Sequence, residues 1–146
     1  MPTPSLSRGV WFGTLLGTTT IAGAVTAVTT TPQVDLWNAA VVTAQATFLY
    51  GSGGTTVQAW LQTSFDQGTS WVDIACWAFA TTAATSIHSV RSFTAVAANY
   101  TPTDGTLTDN TIKDGLLGDR LRVKYTTVGT YAGATSLAIW AMVRGR

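Results

Sequence analysis

Aspartates are the only acidic side chains in this sequence, and four of the seven recur at intervals of five residues. Asp104, Asp109, Asp114 and Asp119 lie in TDGTLTDNTIKDGLLGDR, residues 103–120. Carboxylates grouped in this way could bind Ca²⁺, which prefers oxygen ligands. The segment lacks the D-x-[DN]-x-[DN]-G spacing and the distal Glu of a calcium loop, and a Gly or Asn follows three of the four aspartates. We therefore favour a series of Asx-type turns over a metal site.

The other reactive side chains give weaker signals. Asp66 and Asp73 could be a carboxylate pair for glycoside hydrolysis, but one falls in a predicted hairpin loop and the other in a predicted strand. A Ser-His-Asp triad would have to use His88, the only histidine, whose surroundings SIHSVRSF are typical of a strand interior. Cys76, the only cysteine, is expected to be an inert buried thiol. We therefore predict no catalytic residue, no metal and no cofactor.

Composition narrows the possible functions further. The 146 residues suggest one domain. Charged residues make up 10% of the chain, against about 25% in an average soluble protein, and 28 threonines supply much of the polarity. The net charge of +1 and the absence of a basic run argue against nucleic acid as a partner. Such sparse charge predicts a surface made for contact with other copies of the chain.

The N-terminal region is uncharged from residue 9 to residue 34 and contains a short apolar run. With Arg8 before it and Ala22-Gly23-Ala24 as a cleavage site, it resembles a signal peptide. Thr and Gly interrupt the apolar run, so we favour extended structure and expect no membrane partner. We predict an extended arm over residues 1–17 and a single sandwich domain over residues 18–146.

The predicted arm carries bulky apolar residues without a clear period: Trp11, Phe12, Leu15 and Leu16. Side chains like these would be unfavourable in water, so we expect them to contact a neighbouring protein. The alternative is that the segment forms a plain first strand in the chain's own sheet.

Alternating apolar and polar residues predict strands through most of the remaining chain. The expected strands lie near 18–29, 41–50, 56–65, 70–80, 86–97, 119–128 and 135–144, with a short one near 34–38. Glycine-containing turns such as Ser52-Gly53-Gly54 separate several of them. Seven or eight antiparallel strands at this spacing indicate a β-sandwich, of which the jelly roll is one arrangement.

Two predicted strands, 71–79 and 137–143, are apolar on both faces. Their second face must be covered, either by the chain's own arm and its 98–118 loop or by another subunit. Trp140 and Met142 lie on one such face and are predicted protein-interaction residues. Trp60 is predicted to point outward because it shares a face with glutamines, and it could contact a protein or stack on a sugar.

The run VQAWLQTSFDQGTSWVDIACWAF (residues 57–79), followed by TDGTLTDN and DGLLGDRLRVKYTTVGTY, resembles small virion structural proteins of tailed bacteriophages. Those proteins share a strand that ends in a QTS.D.G..W.DI hairpin, within a charge-poor sheet rich in Thr, Ala and Gly. The resemblance covers about half the chain. It implies a capsid decoration protein that binds the major capsid protein on the virion surface as a homo-oligomer, or another head or tail component such as a connector, tail tube or head fibre. No site residue carries over, because such proteins act through surfaces.

Overall fold

The computed structural model describes residues 10–36, 38–92 and 99–145, and the regular structure of these residues is entirely β. Ten strands follow one another: β1 (Val10–Thr20), β2 (Val25–Thr29), β3 (Ala39–Leu49), β4 (Ser52–Gly53), β5 (Thr56–Ser64), β6 (Val72–Phe79), β7 (Ala84–Arg91), β8 (Arg120–Val128), β9 (Tyr131–Ala132) and β10 (Ser136–Gly145). The predicted all-β class is confirmed. The short strand predicted near 34–38 is wrong for the described residues there, since only an isolated bridge at Gln33 occurs nearby.

Eight strands form two four-stranded antiparallel sheets. The first sheet has the order β1-β10-β3-β7, and the second has the order β2-β8-β5-β6. The remaining strands, β4 and β9, pair only with each other. The chain crosses between the sheets at nearly every connection, and the resulting strand order is that of a jelly roll. The predicted antiparallel sandwich is therefore confirmed.

The core lies between the two sheets, where alternate side chains of each strand point inward. In β3, buried Val42, Ala44, Ala46 and Phe48 alternate with side chains on the opposite face. Phe48 stacks on Phe79 of the second sheet, with ring centroids 5.1 Å apart. Each large apolar side chain buried in this way contributes roughly 1.5–3 kcal/mol to stability.

The described part of the predicted arm is a strand of the core domain. Residues 10–17 lie in β1, which pairs with β10 over its whole length at one edge of the first sheet. The boundary at residue 17 therefore divides a strand, and the alternative of a plain first strand is correct for residues 10–17. Residues 1–9 lie outside the described residues. The extended structure predicted for the signal-like stretch is observed as β1 and β2.

A close contact fixes one end of the sandwich. Tyr131 is buried, and its hydroxyl donates to the Ala80 carbonyl at 2.9 Å. Gly54 lies directly against the Tyr131 ring with φ at +71°, and its N–H donates to the Thr130 carbonyl at 2.7 Å. Glycine is needed here because a Cβ atom would overlap the ring and because L-residues disfavour this backbone conformation.

Candidate functional site

The outer face of the first sheet is poor in charge over the described part of the chain, and we call it the exposed face. It consists of the side chains that alternate with the core residues of β1, β10, β3 and β7. Two adjacent rows across the strands form its centre: Phe12, Met142, Thr43 and Ser89, then Thr14, Trp140, Gln45 and Ile87. One row lies at the first end of the face: Arg144, Val41 and Arg91. Two rows lie at the other end. The inner of these is Ala138, Thr47 and Thr85, and the outer is Ser136 and Leu49.

Large apolar side chains are exposed at the centre of this face. Phe12 is 61% exposed, Ile87 58% and Trp140 44%. The rings of Phe12 and Trp140 stack, with centroids 5.6 Å apart and an interplanar angle of 23°. They line a shallow concavity of about 490 Å³ together with Thr43, Gln45, Ile87, Ala141 and Met142. An apolar patch with a paired aromatic centre is the composition expected of a binding surface.

Charge is confined to one end of the exposed face. Its two charged side chains, Arg91 and Arg144, share the terminal row with Val41. Arg91 forms a bidentate pair with Asp114, through Nε at 2.9 Å and Nη2 at 2.6 Å from the same oxygen. This pairing raises the pKa of Arg91 and lowers the pKa of Asp114. No carboxylate stands among the side chains of the exposed face, so Arg144 gives it a positive end.

The structure separates the seven predicted interaction residues into two groups. Phe12, Trp140 and Met142 lie together on the exposed face. The other four predictions are wrong because these side chains lie in the chain's own interior: Trp11, Leu15, Leu16 and Trp60 are each 7% exposed or less. In β1 the side chains alternate, so Trp11 points into the core while its neighbour Phe12 points out.

Trp60 is buried because the chain covers the outer face of its second sheet. We call residues 99–119, between β7 and β8, the covering loop. Leu107 of this loop packs with Trp60 and Cys76, and its carbonyl accepts a hydrogen bond from Trp60 Nε1 at 3.1 Å. Backbone hydrogen bonds also join the loop to β6, from Cys76 N to Thr111 O at 2.9 Å and from Lys113 N to Ile74 O at 2.8 Å. Coverage by the chain's own loop is thus the correct alternative for the two-sided strand 71–79.

A buried carboxylate holds the covering loop in place. The Asp73 side chain is fully buried and accepts a hydrogen bond from Gln62 Nε2 at 2.7 Å. It also accepts bonds from the backbone N–H groups of Gly105, Thr106 and Leu107 at 2.8–3.1 Å, and from Thr103 Oγ1 at 2.9 Å. Asp73 therefore has a structural role, and its oxygen atoms are fully engaged.

The five-residue aspartate series does not converge on one site. Asp104 pairs with Lys124 Nζ at 2.8 Å, whereas Asp109 accepts from Gln58 and Asp114 pairs with Arg91. Asp119 lies 3.9 Å from Arg120 Nε. Among the described residues, no three His, Cys, Asp or Glu side chains form a group that could hold a metal ion. The preferred expectation of local Asx turns is wrong for Asp104 and Asp109, whose partners lie on strands distant in sequence. Asp114 pairs with Arg91 but also accepts a bond from the adjacent Gly115 N–H.

Asp66 organises the β5–β6 hairpin. Its carboxylate accepts from Ser70 Oγ at 2.6 Å, Ser70 N at 2.8 Å and Ser64 Oγ at 2.9 Å. These bonds, those from Ser70 first, lower the pKa of Asp66 to about 2. The hairpin predicted from Asp66-Gln67-Gly68 is observed. Asp66 bonds within this hairpin, whereas Asp73 bonds to the covering loop.

We expect replacement of Asp66 with Asn to reduce the fall in the free energy of unfolding between about pH 4 and pH 2. A carboxylate whose pKa is lower in the folded state stabilises the fold above its unfolded value of 3.8, and this contribution is lost as the pH falls from about 4 to about 2. Urea titrations of wild type and Asp66→Asn between pH 2 and pH 6 measure it. Parallel curves for the two proteins across that range would contradict the assignment.

The Cys76 thiol and the His88 imidazole are both buried, and the His88 ring contacts the Cys76 backbone carbonyl. Burial raises the pKa of the Cys76 thiol to about 12 and lowers the pKa of His88. His88 Nε2 lies 3.0 Å from the Cys76 carbonyl, and the imidazole packs on Trp77 at 4.9 Å between centroids. Both side chains are structural, in agreement with the sequence-based expectation.

We expect Cys76 to resist thiol reagents in the folded protein. At pH 8 a thiol with a pKa of about 12 is ionised to only about one part in 10,000, and the side chain is fully buried. Reaction with a chromogenic disulfide should therefore follow the unfolding transition when urea is added. Rapid, complete labelling in the absence of urea would show that the covering loop opens readily.

Comparisons with known proteins leave the family open. No protein-family model matches the chain, and no curated protein matches it significantly. Within the described residues, no helix has the length and apolar character needed to span a bilayer. The functional assignment therefore depends on the geometry of the surface.

Sequence reasoning found the β1 and β10 parts of the exposed face and missed the parts on β3 and β7. Gln45, which is next to Trp140 in its row, and Ile87, which follows Gln45, were not among the predicted residues. The alternation in AVVTAQATFL predicts which β3 side chains point outward, but not which strands are neighbours. Sheet order was the missing information, since β7 reaches β3 only after the chain has passed through the other sheet.

Proposed function

We propose that this protein is a virion structural protein of a tailed bacteriophage, most specifically a capsid decoration protein. In this role it self-associates and binds the lattice of the major capsid protein on the outer surface of the head, through non-covalent contacts alone. The observation that carries the proposal is the exposed face, with its stacked Phe12 and Trp140 and its uncharged centre. The resemblance of residues 57–79 to small phage virion proteins supports the same role.

The distribution of charge supports an assembled state. The chain exposes 7382 Å² and carries eight basic and seven acidic residues, which is one charged residue for roughly 500 Å² of surface. Identical copies can approach closely on a lattice when few like charges face one another. Each contact between copies can then be weak, because a copy held by one contact is at a high effective concentration for the next and the overall binding is strong.

The experiment is to add the purified protein to capsids that lack it and to image the particles by electron microscopy. We expect new density at regular lattice positions on the head, and a higher temperature of capsid disruption because binding stabilises the bound state. Trp140→Ser should lower the occupancy, whereas Phe65→Ser should not, although Phe65 is 58% exposed on the β5–β6 hairpin. Bare capsids at saturating protein, or density confined to the tail, would contradict a decoration role.

A second candidate function is binding of a neutral glycan at the exposed face. The observation that favours it is an exposed aromatic pair beside the amide of Gln45 and the hydroxyl of Thr43 in an uncharged concavity. Sugars stack on exposed aromatic rings and bond to such polar groups. Because Trp60 is buried and Trp140 is exposed, the stacking residue in this hypothesis is Trp140 and not Trp60. Glycan-array binding by wild type that Trp140→Ser abolishes would favour this function over decoration.

A further inference from the structure

The exposed face has the size and shape of a sheet-to-sheet contact. It spans four strands and five rows of side chains, or about 19 Å by 27 Å at the usual strand spacing and rise. Two such faces packed together would bury about 1,000 Å² in total, which is near the lower limit for a specific interface. Sheets that pack face to face in proteins generally lie about 10 Å apart, a spacing that a second copy on this face could adopt.

We propose that the exposed face binds the same face of a second copy, with the strands of the two copies antiparallel. This inference deepens the proposed function, because it rests on the self-association included in that role and identifies the contact. The occupant is a second copy because the centre of the face offers no charge to select a different protein, whereas an uncharged apolar centre complements itself.

The positive end of the face selects the orientation. A two-fold axis along the strands would bring the Arg144 side chains of both copies into the same row, whereas Arg91 is already paired with Asp114. Like charges brought together in an interface are unfavourable. An axis across the strands places each arginine row over the opposite end of the partner, where the side chains are Ser136 and Leu49. This axis passes through the middle row, so Trp140 meets Trp140 and Gln45 meets Gln45 of the second copy.

Sedimentation equilibrium of the purified protein, without capsids, tests the interface. We expect a monomer–dimer equilibrium between low micromolar and near-millimolar concentrations. Trp140→Ser should raise the dissociation constant at least about 30-fold, as for a central aromatic contact. Gln45→Lys should prevent dimerisation by placing two ammonium groups at the axis, and Gln45 is exposed, so the fold should be unaffected. The matched control Phe65→Ser should dimerise like wild type.

Cross-linking through introduced cysteines tests the orientation, since the native Cys76 is buried. With a short bismaleimide, Gln45→Cys should give covalent dimers. Arg144→Cys should not, because its position lies four residues from the axis row and the two copies would be roughly 26 Å apart. Cross-linking at Arg144→Cys would overturn the antiparallel arrangement, whether or not Gln45→Cys also cross-links. A monomer at every concentration would overturn the dimer, even if the protein still binds capsids; a dimer that ignores capsids would instead contradict only the proposed function.

Discussion

Replacing Asp73 with Ala should lower the free energy of unfolding by about 3–5 kcal/mol, because it leaves several buried donors without an acceptor. Three backbone N–H groups of the covering loop, at residues 105–107, lose their partner, as does Thr103 Oγ1. Gln62 Nε2 loses one of its two acceptors and keeps Asp104. Urea denaturation measures the loss. Hydrogen exchange should show the loop itself opening, with the amides of residues 105–107 losing most of their protection.

Asp109→Asn is the matched control for this prediction. Asp109 lies in the same loop but is exposed and accepts a bond from Gln58 at the surface. Its substitution should change the free energy of unfolding by less than about 1 kcal/mol. If Asp73→Ala is as mild as this control, the carboxylate does not hold the loop.

Replacing Gly54 with Ala should cost about 2–5 kcal/mol of stability, which is unusual for the addition of one methyl group. The new Cβ would overlap the ring of Tyr131, and φ at +71° adds backbone strain. Tyr131 cannot easily move away, because it is buried and its hydroxyl bonds to the Ala80 carbonyl. Thermal and urea unfolding of the variant would measure the effect.

Gly23→Ala provides the comparison, since its added Cβ would meet no heavy atom within 4 Å. It should be neutral, or stabilising by about 0.4–1 kcal/mol through the unfolded chain. If overlap with the ring is the cause at Gly54, the cost of Gly54→Ala should shrink in a Tyr131→Val background. An equal cost in both backgrounds would assign the effect to the backbone alone.

The class of fold was predictable because period-2 alternation depends only on neighbouring residues. The hairpin between β5 and β6 was predictable for the same reason, since Asp66, Gln67 and Gly68 are turn residues. Burial of Trp60 was not predictable from its own strand. Its glutamine neighbours suggest a solvent face, but the covering loop arrives from more than forty residues further along the chain.

The candidate site was predictable only where one strand carries it. Trp140 and Met142 stand out because β10 is apolar on both sides, and Phe12 stands out because its segment is unusually apolar. The single-residue alternation that exposes Phe12 also buries Trp11, and composition alone could not separate the two. The row that joins Trp140 to Gln45 and Ile87 depends on the jelly-roll order, which no local pattern encodes.

The covering loop also affects how copies of this protein can associate at high local concentration, because it covers an edge of the second sheet. β6 is the last strand of its sheet, yet loop atoms occupy its outward backbone groups at Cys76, Ile74 and Ala78. A bare edge there would template the strands of neighbouring molecules into a growing fibril. With that edge closed, crowded copies cannot add strands to the sheet at β6.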